Sequence, residues 1–199
     1  PFKTREGGVM RLETLIKDIN DEMYRKIMDN HEIDPREARE TARIVGLSAI
    51  KYGDLSNQAS KDYVFDIDRF TSFEGNTGPY ILYTIVRIKS ILNKYREGGR
   101  KVEETVIGPA SGESEKALML ELCRFGEMIK NAYEEIAPHK ICAYIYDLAN
   151  DLNRFYHGTK ILTEEDEERK ASWIALLELT RKVLETCIDL LGFDAPERM

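Results

Sequence analysis

Apolar residues recur at steps of three and four along most of this chain, and that rhythm leaves room for little besides packed α-helices. Leu12, Ile16, Ile19, Met23 and Ile27 share one helical face, which predicts a first helix. Asp34, Pro35 and Glu37 then supply an N-cap, a proline at the first helical position and an acid three residues after the cap. Ala38, Ala42, Val45 and Ala49 carry this second helix to about residue 52. Across 53–78 the rhythm fails, with Gly, Asn, Ser and Asp frequent and only a brief alternation at 63–68, so a long ordered loop is expected.

Pro79 opens a third helix, expected to end near residue 95, and 96–114 reads as a mobile linker rich in glycine and charge. Leu118, Leu122, Phe125, Ile129, Ala132 and Ile136 form one helical stripe that Pro138 ends. Ile141, Ile145, Leu148, Leu152 and Phe155 form another, expected to pack antiparallel to it. Thr163 with Asp166 resembles a capping box at the head of a last helix over 164–191, and Gly192 is suited to stop it. No internal repeat is present, and the sum is an all-α helical bundle.

With 199 residues, the chain is long enough for one domain, or for one domain and an appendage. It has no run near the roughly 18 apolar residues of a membrane span and no apolar signal core at its start, so no membrane partner is expected and the cytoplasm is the expected compartment. It opens at Pro1 without an initiator methionine and reads as a piece of something longer. A net charge of -7 argues against gripping nucleic acid by bulk electrostatics, so any such contact must be local. Cys123, Cys142 and Cys187 lie far apart in helix-like runs and read as reduced core thiols. His31, His139 and His157 lack metal-ligand spacing, and no metal site is expected.

Two features stand apart from the core pattern. On the third helix Ile81, Ile85, Ile88 and Leu92 cluster on one face, while Tyr80, Tyr83, Arg87, Ser90 and Lys94 cluster roughly 150° away. Tyrosines on a polar face can cover a neighbouring segment and hydrogen-bond through their hydroxyls. They can equally stack unpaired RNA bases while Arg and Lys hold the backbone. The pattern leaves both readings open. The second feature is the opening loop Pro1-Phe2-Lys3-Thr4-Arg5-Glu6-Gly7-Gly8, whose two cations and one hydroxyl beside flexible glycines suit a phosphate group or simply a solvated terminus. No nucleophile and base arrangement and no dinucleotide or phosphate-loop glycine pattern accompanies it, so the chain by itself contains no complete active site.

Several ordered segments together resemble class I arginyl-tRNA synthetases. Phe2-Lys3-Thr4-Arg5-Glu6-Gly7-Gly8 looks like that family's degenerate form of the class I "KMSKS" loop, with Thr4 and Arg5 where other class I enzymes have Ser and Lys. Ala49-Ile50-Lys51-Tyr52-Gly53-Asp54-Leu55-Ser56, Asp62-Tyr63-Val64-Phe65-Asp66 and Phe73-Glu74-Gly75-Asn76-Thr77-Gly78-Pro79-Tyr80 follow the family's order and spacing. Tyr80, Tyr83 and Arg87 fit its tyrosine and arginine pattern, although Thr84 stands where alanine is usual. Asn153-Arg154-Phe155-Tyr156 resembles a second aromatic contact, and Pro196-Glu197-Arg198-Met199 resembles the family's C-terminus.

The resemblance implies a division at residues 33 and 34. Residues 1–33 would be the end of a catalytic domain, with Lys3, Thr4 and Arg5 at the ATP phosphates, and 34–199 an anticodon-binding bundle. Tyr80, Tyr83, Arg87, Lys94, Tyr156 and Met199 are the implied tRNA contacts. The implied whole enzyme joins L-arginine to arginine tRNA using ATP with Mg2+, through an arginyl-adenylate. In such enzymes arginine activation also requires bound tRNA. Its nucleotide-binding sheet, "HIGH" signature and amino-acid pocket precede Pro1, so this piece alone is expected to be inactive, to hold no cofactor and to be a monomer. Two alternatives remain: a helical protein-interaction module without RNA binding, and the anticodon domain of a sister synthetase for cysteine or methionine. The loop at 2–8 and the ending Arg198-Met199 argue against the sister enzymes.

Overall fold

A computed structural model describes residues 11–30 and 34–199, and within these every regular element is a helix, with no strand. Helix α1 (Leu12–Asn30) lies on α2 (Pro35–Leu55). Ile19, Met23 and Ile27 are buried in that contact, whereas Leu12 and Ile16 at the head of the expected stripe are exposed. The signal at α2 works as expected: the Asp34 carboxylate accepts from the backbone N–H of Arg36 at 2.9 Å, with Pro35 in the first turn. Glu37 does not reach back to complete a capping box; its carboxylate goes elsewhere, to Arg198.

The expected loop at 53–78 contains one turn of helix, α3 (Ile67–Phe70). Asp66 makes it by accepting from the Arg69 N–H at 3.2 Å, and Phe70 is buried. Helix α4 (Gly78–Glu97) is the central element, packed on α2, α7 and α8. Thr77 caps it through the Tyr80 N–H at 3.2 Å, and Pro79 sits in the first turn. Gly78 fixes how closely α4 meets α2, because a Cβ there would lie 2.3 Å from the Ser48 carbonyl oxygen. Segment 96–114 runs through a 3₁₀ turn (Val102–Glu104) against α8. Val102 is buried, and the Gly108 N–H donates to the Ser172 hydroxyl at 2.8 Å.

The single helix expected over 118–136 is two, α5 (Glu113–Cys123) and α6 (Phe125–Glu134). At the break the Arg124 N–H bonds to Glu121 O at 3.1 Å, a tightened three-residue step that interrupts the α-helical ladder. Both helices pack on α7 (Pro138–Gly158). The expected core position Ile136 is instead 88 % exposed in the α6–α7 connection, with φ at 50°. Cys123 also departs from expectation: it ends α5 exposed, while Cys142 and Cys187 are buried. Burial pushes both buried thiols up to about 12.

The last helix, α8 (Glu167–Leu190), begins later than expected, because Asp166 and not Thr163 is its cap. Residues Ile161–Thr163 form a 3₁₀ turn that buries Ile161, which leaves Thr163 outside the helix. Gly192, at φ 80°, ends the helical path as expected. Two aromatic groups tie the bundle together. The buried Tyr52 hydroxyl lies 2.9 Å from Cys142 O and links α2 to α7. Trp173 of α8 meets Phe155 of α7 edge to face at 5.9 Å between ring centres.

Candidate nucleic-acid interface

Four parts of the chain meet around a cleft of about 1130 Å³: the first turns of α2, the outer face of α4, the end of α7 with the turn after it, and the tail at 196–199. The tail becomes a wall because it is pinned at several points. Phe193 and Pro196 are buried. Lys89 of α4 donates to Pro196 O at 3.2 Å and pairs with Glu197 at 2.7 Å and Glu185 at 3.4 Å. Lys51 donates to Gly192 O, and Arg198 reaches across the cleft to pair with Glu37. The hydrogen bond from Arg198 holds the Glu37 carboxyl below the usual carboxylate range.

In the cleft the Arg87 guanidinium lies over two aromatic rings, 4.8 Å from the centre of Tyr83 and 4.9 Å from that of Tyr156. Tyr83 precedes Arg87 by one helical turn and is 41 % exposed, while Tyr156 comes from the last turn of α7. The flat cation therefore joins α4 to α7 through cation–π contacts. Arg87 also donates to Asn153 Oδ1. Lys94 and Met199 line the same cleft, Met199 half-buried against the core.

Five of the residues singled out from sequence, Tyr83, Arg87, Lys94, Tyr156 and Met199, thus share one cleft. Tyr80 is not part of its lining. Its half-buried ring packs edge to face on Tyr146 at 5.8 Å, and its hydroxyl donates to Asn150 Oδ1 at 2.8 Å and accepts from Asn153 Nδ2 at 2.8 Å. Lys3, Thr4 and Arg5 lie outside the described residues. Sequence alone does not point to Glu37 or Lys160 as parts of this region, and it brings in Asn153 only as a member of the segment 153–156, without a role of its own. Lys160 follows Tyr156 closely in sequence and could have been sought there, whereas nothing local marks Glu37 as the partner of a residue 161 positions away.

Charge in the cleft is mixed. Glu37, Glu40, Glu97 and Glu197 stand among its cations, and Arg198 is already engaged. Lys94 and Lys160 make no ion pair among the described residues, and both are exposed. Flat rings, an oriented guanidinium and two solvent-facing amines equip the cleft for bases and a few phosphates, not for a long run of duplex backbone. Among the described residues no helix is long and apolar enough to cross a membrane, and no group of three His, Cys, Asp or Glu side chains converges on a common point.

Residues 81–199 match the family model of the DALR anticodon binding domain, and residues 1–67 match that of the class I (R) tRNA synthetase catalytic domain. The chain is 64% identical over 207 residues to the arginine–tRNA ligase of Agathobacter rectalis, covering 100% of this chain and 35% of that protein. It is 58% identical over 199 residues to the arginine–tRNA ligase of Alkaliphilus oremlandii, covering 100% of this chain and 34% of that protein. Among solved structures, the arginyl-tRNA synthetase of Thermus thermophilus superposes with a TM-score of 0.83 at 29% identity, over 96% of this chain and 33% of that one. That of Plasmodium falciparum gives 0.83 at 28% identity, over 96% and 34%. The chain spans about a third of the length of the relatives it matches.

Proposed function

Because the chain belongs to the family of DALR anticodon binding domains, we propose that it is the C-terminal part of an arginine–tRNA ligase and that its cleft receives the anticodon region of arginine tRNA. The observation that carries this reading is the guanidinium of Arg87 held against Tyr83 and Tyr156 in an open cleft, within the segment that matches the anticodon-domain model. Tyr83 and Tyr156 offer their outward surfaces to unpaired bases, and Met199 gives an apolar edge against which a base can rest. Lys94 and Lys160 meet the phosphates.

The whole enzyme would attach L-arginine to its tRNA at the expense of ATP, taken as a substrate together with Mg2+, and would act in the cytoplasm as a monomer. Lys3, Thr4 and Arg5 would hold ATP phosphates in that enzyme, and this chain would contribute RNA recognition. The division between residues 33 and 34 belongs to the same proposal.

Fluorescence anisotropy with arginine tRNA and with an anticodon-substituted copy tests the reading. The chain is expected to bind the native tRNA more tightly, with a salt-sensitive affinity in the micromolar range or weaker. Equal affinity for the two RNAs would overturn anticodon reading.

A further inference from the structure

Tyr80 lies behind the cleft, yet its hydroxyl is joined to it by a directional chain of hydrogen bonds. Tyr80 donates to Asn150 Oδ1 at 2.8 Å, which leaves the phenol oxygen as an acceptor. Asn153 Nδ2 donates to that oxygen at 2.8 Å and reaches Thr84 Oγ1 at 3.4 Å. With its amino group so engaged, the Asn153 carboxamide turns its oxygen toward Arg87, which donates to it through Nη1. A carboxamide flipped the other way would present N–H donors to a cation that can only donate. The Tyr80 hydroxyl therefore selects the orientation of Asn153 that accepts Arg87.

The two rings settle the other degree of freedom. Tyr83 and Tyr156 both lie against the guanidinium carbon, and the bond to Asn153 Oδ1 fixes the direction of Nη1. Nε and Nη2 keep donors with no partner among the described residues, and Arg87 lines the cleft. Such a fork matches a pair of acceptor atoms on a nucleotide far better than a freely rotating charge does.

We propose that Tyr80 and Asn153 are positioning residues for RNA binding, which hold the Arg87 guanidinium in the plane from which it donates to the RNA. This rests on the anticodon-binding reading of the cleft. It gives Tyr80 a role distinct from that of Tyr83, although the two share a helical face: Tyr83 meets the RNA and Tyr80 acts through Arg87.

The test is a double-mutant cycle read by anisotropy with arginine tRNA, using the whole chain. Arg87→Ala is expected to weaken binding by about 10-fold or more, as for loss of hydrogen bonds from a charged donor. Tyr80→Phe keeps the ring against Tyr146 and removes only the hydroxyl, and should weaken binding by about 3- to 10-fold. In the Arg87→Ala background the same change should cost nothing further, because its target is gone. Asn153→Ala should behave like Tyr80→Phe and takes its place in the cycle if Tyr80→Phe fails to fold. Wild-type affinity in Tyr80→Phe and Asn153→Ala, or an equal loss with and without Arg87, overturns the positioning role while leaving the anticodon reading standing. No effect of Arg87→Ala itself, or no preference for the native anticodon, strikes the reading on which the proposal rests.

Discussion

Tyr83 and Tyr156 carry contacts of a kind that few other residues in this chain combine: each ring lies against a cation in the cleft, Tyr83 exposed and Tyr156 half-buried. Replacing either with alanine should weaken binding of arginine tRNA by about 1 to 3 kcal/mol, the usual worth of a stacked base. For Tyr83→Ala, at 41 % exposure, calorimetry should show little change in melting temperature, and a large drop would mean that the ring supports the fold instead. Sequence alone places Tyr83 and Arg87 on a polar helical face, because a turn of helix determines direction. It does not separate Tyr80 from Tyr83, since the distinction depends on α7 crossing that face and bringing Asn150, Asn153 and Tyr146 to one tyrosine only.

At the scale of the helices, close approach and pinning do more than periodicity to set the cleft. Gly78 stands where α4 starts out across α2, and Gly78→Ala places a methyl group 2.3 Å from a backbone oxygen that cannot swing aside. We expect a loss of about 1 to 3 kcal/mol, seen in differential scanning calorimetry as roughly 2 to 4 °C per kcal/mol for a chain of this size. An unchanged melting temperature would show that the two helices tolerate a wider separation. Signals confined to a few neighbouring residues are legible in the sequence: Asp34 with Pro35 opens α2, and Gly192 ends the helical path. Thr163 and Asp166 are both credible caps by residue type, and the choice falls to Asp166 because burying Ile161 uses the preceding turn. The break at Arg124 is not legible, since the apolar stripe continues through it, and neither is the path of the tail, which depends on Lys89 and Glu37 far away in sequence.

Taken whole, the molecule carries a net charge of -7, which on balance repels an RNA ligand. Attraction has to come from the few cations in the cleft that are not engaged by carboxylates, chiefly Arg87, Lys94 and Lys160. If about three phosphates are neutralised, the logarithm of the binding constant should fall with the logarithm of salt at a slope near about -2, as for single-stranded nucleic acid. Titrations of arginine tRNA at several salt concentrations measure that slope. A value several times steeper would point to contacts with many more cations than this cleft supplies.

Trp173, packed edge-on against Phe155 and only 7 % exposed, is the sole tryptophan of the chain. Phe155 is the immediate neighbour of Tyr156, so the single indole chromophore stands just behind the cleft wall. Its ultraviolet emission, blue-shifted by burial, therefore gives the bundle a built-in optical gauge: a red shift follows loss of the core, and a change in intensity at constant wavelength follows events at the rim, with no dye attached.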